Sequence, residues 1–118
     1  MKDDRLYLLH IQECIARIKQ YSAGGKQDFL ADPKTQDAVM RNLQLLAEST
    51  QRLSEGLRAG HPEVNWRGIA GFRNVLVHGY LGVNVVRVWE IVERDLPVIE
   101  KLVMAIMQEQ GLPREEKR

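Results

Sequence analysis

The chain has 118 residues, 44% of them hydrophobic and 28% charged, with 17 Lys+Arg against 16 Asp+Glu, three His and one Cys. That length suits one compact domain and excludes a large multi-domain enzyme; a single Cys excludes an internal disulfide and is consistent with a reducing, cytoplasmic setting. A net charge of +1 lacks the basic excess that usually marks a nucleic-acid binder.

The apolar spacing is helical almost throughout. Leu8, Ile11, Ile15 and Ile18 recur at threes and fours, which predicts an amphipathic helix from about Asp4 to Ser22. Gly24-Gly25 should end it, and a short loop is expected up to Asp32-Pro33, an N-cap followed by proline in the first turn. Val39, Leu43, Leu46, Leu53 and Leu57 then mark a long second helix stopping near Gly60, with Arg41, Glu48, Arg52 and Glu55 on its polar face. Pro62 opens a segment in which Trp66, Ile69, Phe72 and Leu76 again fall at helical intervals, ending around His78-Gly79-Tyr80. Asn84 is placed to cap a last helical region built on Val85, Val88, Val92, Leu96, Ile99, Val103 and Ile106. Pro97 inside that pattern predicts a kink or a restart, with Asp95 as the new cap.

These elements predict an all-α, up-down bundle of four to five helices forming one domain over residues 1–118, with a tail from about residue 111 expected to fray. An apolar face left over on so small a bundle favours dimerisation. No apolar run approaches the roughly 20 residues needed to span a bilayer. Acids in Met1-Lys2-Asp3-Asp4-Arg5 do not suit a signal peptide, so a cytoplasmic location away from membranes is expected.

The chemically dense stretch is Arg73-Asn74-Val75-Leu76-Val77-His78-Gly79-Tyr80. At about 100° per residue, Asn74 and His78 share a helix face, as do Arg73 and Tyr80, whereas Arg73 and His78 do not. Two copies facing each other would ease that limit. Histidine exchanges a proton near neutral pH, and the guanidinium fork matches two phosphate oxygens. Together they suit metal-free RNA cleavage, in which a base helps a 2′-hydroxyl attack the adjacent phosphate while a fixed cation stabilises the developing charge. Asn74 is placed to orient His78 or to donate to phosphate. The same residues also allow a non-catalytic helical module that binds a nucleotide or a protein partner, or a purely structural helical dimer.

Arg73 and His78 stand as R-x4-H and, with Tyr80, as R-x4-H-x-Y. This pattern resembles the R-x4-6-H motif of HEPN-domain ribonucleases and, in its longer form, the HepT toxin family. The run from Gln36 to Leu43 with Glu48 after it, the stretch His61 to Arg67, Gly82-Val83 and Trp89 are similar to family members as well, so the resemblance covers roughly Leu6 to Val103. Gly79 departs from the Glu that many members carry there, which should change local charge without abolishing function. The resemblance implies a HEPN-like fold, a homodimer, and a metal-independent endoribonuclease toxin needing no cofactor and acting on tRNA or mRNA. It also implies an MntA-type nucleotidyltransferase antitoxin, as in type VII-like systems, that transfers AMP from ATP to the motif tyrosine. On this pattern Arg73 and His78 are catalytic, Asn74 supports them and Tyr80 is the AMPylation site.

Other polar positions read more plainly. His10 and His61 lack companions at metal-ligand spacing, and no metal is expected. Cys14 lies among apolar helix positions, which suits a small buried residue. Trp66 and Trp89 suit core or dimer contacts, with base stacking as the alternative. Glu48 either pairs with Arg73 or His78 or faces solvent. Gly24-Gly25 is not followed by the pattern of a phosphate loop. From Arg58 to Arg87 four arginines face one acid, Glu63, a local excess of +3 within a charge-balanced chain. Doubled by a two-fold axis, that segment would form a basic RNA-binding cleft.

Overall fold

The Asp3 carboxylate opens the first helix, accepting from the Arg5 and Leu6 N–H groups at 3.1 and 3.4 Å. In the computed structural model, which describes residues 3–77 and 84–112, α1 spans Asp4–Tyr21 and buries Leu8, Ile11, Cys14, Ile15 and Ile18. It closes where the spacing placed its end: the Ser22 hydroxyl and N–H donate to the Ile18 carbonyl at 2.7 and 2.9 Å.

The loop expected between Gly25 and Asp32 is instead a short helix, α2 (Gly25–Ala31). Gly25, at φ +89°, makes the turn out of α1 in a region closed to most side chains. Seven residues are too few to show a period or to be stable alone. What holds α2 is Phe29, 1% exposed, whose ring lies 5.3 Å from that of Trp89.

Asp32 caps α3 (Pro33–Arg52) as expected, accepting from the Lys34 N–H at 3.1 Å, with Pro33 in the first turn. The Thr35 hydroxyl donates to the same carboxylate at 2.8 Å; that bond, then backbone donors, holds its pKa below the ordinary carboxylate range. The helix stops at Arg52 rather than near Gly60. Leu53 is extended (φ −63°, ψ 148°), and Ser54 caps a separate helix, α4 (Glu55–Ala59), through the Leu57 N–H at 3.2 Å. The reason is tertiary. Asp4 of α1 accepts from both the Ser54 N–H (2.7 Å) and the Ser54 hydroxyl (2.6 Å), so the chain is pinned just where it leaves α3. Leu53 and Leu57 still reach the core. Asp4→Ala is expected to leave the half-buried Ser54 N–H unpaired and to cost about 1–3 kcal/mol, read as a lower urea midpoint with an unchanged slope.

Beyond α4 come α5 (Trp66–Ala70) and α6 (Phe72–Val77), then α7 (Val85–Glu90) and α8 (Leu96–Glu109). Asn84 caps α7, accepting from the Val86 and Arg87 N–H groups at 3.1 and 3.2 Å. A helix does restart at Leu96, with Pro97 in its first turn, but not from the side-chain cap expected of Asp95. Asp95 is helical (φ −84°, ψ −40°) and makes no side-chain cap bond. A π-helical turn, Ile91–Asp95, joins α7 to α8 instead. The Leu96 N–H donates to the Ile91 carbonyl, five residues back. This wider turn sits directly ahead of the ring that would crowd the Glu93 carbonyl in a regular helix. At the far end Gly111 (φ +72°) and Leu112 complete a Schellman cap, with their N–H groups on the Gln108 and Met107 carbonyls at 3.0 and 2.8 Å. The start of the fray expected near residue 111 is thus built into this cap; residues 113–118 lie outside the described residues.

The result is all-α, with no strand among the described residues. Three long rods, α1, α3 and α7–α8, and the chain of short helices α4–α6 make up the bundle, with α2 crossing between α3 and α7. Antiparallel α1 and α3 pair start to end, through Asp4 with Ser54 and through His10 Nδ1 with the Ser49 hydroxyl at 2.7 Å. α8 packs on α1, where Lys19 meets Glu100 at 3.0 Å. α5 and α6 lie on α3, with α6 also touching α7.

Candidate active site

The helix that carries the first half of the motif is positioned from its N-terminal side and by its face on the core. Upstream, the Trp66 indole N–H donates to the Arg58 and His61 carbonyls, both at 3.1 Å, pinning α5 to the end of α4. Asn65 caps α5 by accepting from the Gly68 N–H at 2.9 Å. The capping amide lies so close over Gly68 that a Cβ there would collide with it. Gly71 passes the chain on, its N–H donating to the Arg67 carbonyl at 2.9 Å and its carbonyl accepting from Asn74 at 3.0 Å. Phe72 and Ile69 are buried, and Val75 and Leu76 pack partly against the core.

With that face inward, Arg73 and Asn74 turn to solvent. Neither side chain makes a hydrogen bond or ion pair among the described residues. Arg73 thus presents its guanidinium to solvent. His78 and Tyr80 lie outside the described residues, as does the expected end of this helix at His78-Gly79-Tyr80. Glu48 is exposed and accepts from Gln44 at 3.3 Å. Of the alternatives open for it, solvent is the one observed with respect to Arg73.

Beside α6 a cleft of about 500 Å³ opens between α5–α6 and the α7–α8 rod. Ile69, Phe72 and Val75 form one wall and Val98, Ile99 and Leu102 the other. Arg87, Asp95, Asn65 and Glu63 bring polar groups to it. Arg87 meets Glu90 at 3.6 Å as an exposed pair, which is worth little. Nothing in the sequence pointed to this cleft except Pro97, whose position inside an apolar pattern marks the π turn that shapes one wall.

The remaining candidates settle into structural roles. Cys14 is fully buried, and desolvation pushes its thiol pKa up, away from the reactive thiolate. His10 bridges α1 to α3. His61, 9% exposed, sits 3.1 Å from Glu63 and 3.9 Å from Glu109, tying the α4–α5 turn to the end of α8. Glu63's own backbone N–H, then the His61 ring, hold the Glu63 carboxyl below its ordinary pKa. Trp66 is half-buried and Trp89 buried in the core. Of the arginine-rich segment, Arg67, Arg73 and Arg87 are exposed and Arg58 is half-buried. Among the described residues no cluster of His, Cys, Asp and Glu is arranged to hold a metal, and no helix is long and apolar enough to cross a membrane.

The model of a family described as "Ribonuclease HepT-like" matches residues 11–106. A protein of Caldanaerobacter subterraneus subsp. tengcongensis named "Putative RNase" is 38% identical over 111 residues, 93% of this chain and 99% of its own. A Thermococcus cleftensis protein named "Probable ribonuclease HepT" is 37% identical over 95 residues, covering 80% and 86%. A Methanocaldococcus jannaschii protein named "Putative RNase" is 36% identical over 110 residues, covering 89% and 91%. No solved structure matches the chain significantly.

Proposed function

The chain belongs to the HepT-like ribonuclease family, and from that premise we propose that it is a metal-independent endoribonuclease toxin cleaving tRNA or mRNA, with Arg73 and His78 as its catalytic residues. The observation that carries the reading is Arg73, exposed on α6 five positions ahead of His78 in the R-x4-H-x-Y string.

In the reaction His78 takes the proton of a ribose 2′-hydroxyl, whose oxygen then bonds to the adjacent phosphorus. The bond from phosphorus to the 5′-oxygen breaks, that oxygen takes a proton from water as it leaves, and the proton on His78 returns to solvent. The products are a 2′,3′-cyclic phosphate and a 5′-hydroxyl end. Charge builds on the non-bridging oxygens at the transition state, where a fixed guanidinium stabilises it most. A base and a cation are sufficient for this chemistry, so no metal or cofactor enters the scheme. Asn74 supports the pair by orienting His78 or donating to phosphate. Because Arg73 and His78 do not share a helix face, a homodimer completes the site with residues of two copies. The exposed Arg67, Arg73 and Arg87 then form a basic surface that a two-fold axis doubles.

Regulation follows from Tyr80. An MntA-type nucleotidyltransferase antitoxin transfers AMP from ATP to the Tyr80 hydroxyl and releases pyrophosphate. The adenylyl group brings a phosphate charge and bulk beside the motif, competing with RNA for Arg73. Two measurements test the scheme. RNA incubated with the protein in EDTA should be cut to cyclic-phosphate ends, and an RNA that is bound but left whole would favour a non-catalytic binding module. Incubation with the antitoxin and ATP should add AMP to the intact mass; a gain that persists in Tyr80→Phe would take that role from Tyr80.

A further inference from the structure

The π turn has a geometric effect on the cleft. In an unbroken helix, residues eight apart lie roughly 80° apart around the axis; one extra residue in the turn reduces this to roughly 20°. Arg87 and Asp95 are therefore brought onto one line of the rod, and both line the cleft, followed by Val98 and Leu102. Along the axis they are separated by roughly 11 Å. Asp95 makes no side-chain hydrogen bond or ion pair among the described residues. Among the described residues Arg87 holds only the exposed pair with Glu90. Asn65 spends its carbonyl on the Gly68 N–H, which leaves its amide NH2 as a donor. Across from this line stand the apolar side chains Phe72 and Val75.

We propose that this cleft is a nucleotide subsite: one nucleotide of the RNA strand lies in it, phosphate on Arg87 and base between the apolar walls, next to the phosphate that meets Arg73. The proposal rests on the ribonuclease reading and deepens it. A ligand complementary to the cleft needs a flat apolar body, an anion at one end and hydrogen-bond donors at the other. A mononucleotide has that pattern, its base presenting ring or exocyclic N–H groups to a carboxylate. The volume of about 500 Å³ lies in the usual range for small-ligand sites. The neighbouring α6 positions, Arg73 and Asn74, are solvent-exposed, so a strand leaving the cleft meets them next. In this arrangement Arg87 contributes affinity, and Asp95 selects the base.

The test is titration of the 15N-labelled protein with AMP, GMP, CMP and UMP, none of which contains a cleavable internucleotide linkage. The Gly68 and Gly71 amide signals are expected to shift. Affinity should fall about tenfold in Arg87→Ala and to a similar extent for nucleosides lacking the phosphate. Asp95→Asn should reorder the preference among the four bases. Val98→Trp, at a side chain 57% exposed and so tolerant of change, should block binding while the melting temperature holds. Unmoved Gly68 and Gly71 signals, or shifts that persist unchanged in Val98→Trp, would overturn the subsite. So would light scattering that shows Val98→Trp altering the oligomeric state with no nucleotide bound, because the cleft would then be an interface between copies. Nucleotide binding without RNA cleavage defeats the ribonuclease reading and leaves the subsite standing; cleavage without binding does the reverse.

Discussion

His78→Ala is expected to lower RNA cleavage in EDTA by about 10²–10⁴-fold, the usual contribution of a positioned general base. Arg73→Ala should lose about 10²–10³-fold, the scale found when a single donor to transition-state charge is removed. The two losses should not add, because base and cation act on one transition state. Arg73→Lys keeps the charge but not the planar fork, so partial activity is expected. Folding should be untouched in the Arg73 variants, since this side chain is exposed and surface changes of this kind usually stay within about 0.5 kcal/mol. A pH–rate profile separates chemistry from binding: the acidic limb of the wild type, where an imidazole base becomes protonated, should vanish from the residual activity of His78→Ala. Undiminished cleavage by His78→Ala would sink the catalytic assignment, and a contaminating nuclease is controlled by the same measurement on Arg73→Ala.

The largest stability loss should come from Phe29→Ala, at about 3–5 kcal/mol. Phe29 is the buried residue of α2, and its ring packs tilted at 42° against Trp89 with centroids 5.3 Å apart. Its removal opens a cavity beneath a helix whose Leu30 is only partly buried against the core, and it also loses an aromatic pair worth about 0.5–1.5 kcal/mol. For a domain stable by about 5–15 kcal/mol this is a large share, and the melting temperature should drop by roughly 10 °C or more. Leu6→Ala, at a position 60% exposed, is the matched control and should change little. Comparable losses in both variants would contradict the burial of α2 on Trp89. A double-mutant cycle with Trp89→Ala isolates the aromatic coupling from the cavity.

The candidate site was legible in part. Arg73, Asn74, His78 and Tyr80 fall within eight consecutive positions, so their chemistry shows in the string itself. Asn65 and Asp95 bring polar groups to the cleft from elements 30 residues apart in the chain, and each alone reads as an ordinary surface residue. Asp95 even read as a helix cap, since an Asp two positions before a proline usually signals one. The π turn overrode that pattern by keeping Asp95 helical.

The fold divides along the same line. The start of α1 near Asp4, the caps Asp32 and Asn84, the buried stripes of α1, α3 and α8, and the end of α1 near Ser22 were written in the sequence, because caps and i, i+3/i+4 spacing act over a few residues. The tertiary structure alone decided that residues 25–31 are helical and that α3 breaks at Leu53, whereas Pro97 marks in the sequence where the rod widens without specifying a π turn. The first depends on Trp89, 60 residues from Phe29, and the second on Asp4, 50 residues from Ser54. Such partners meet only after the chain has folded, so local propensity does not register them. The net charge of +1 follows the same rule: the sum belongs to the sequence, while the exposure of Arg67, Arg73 and Arg87 belongs to the fold.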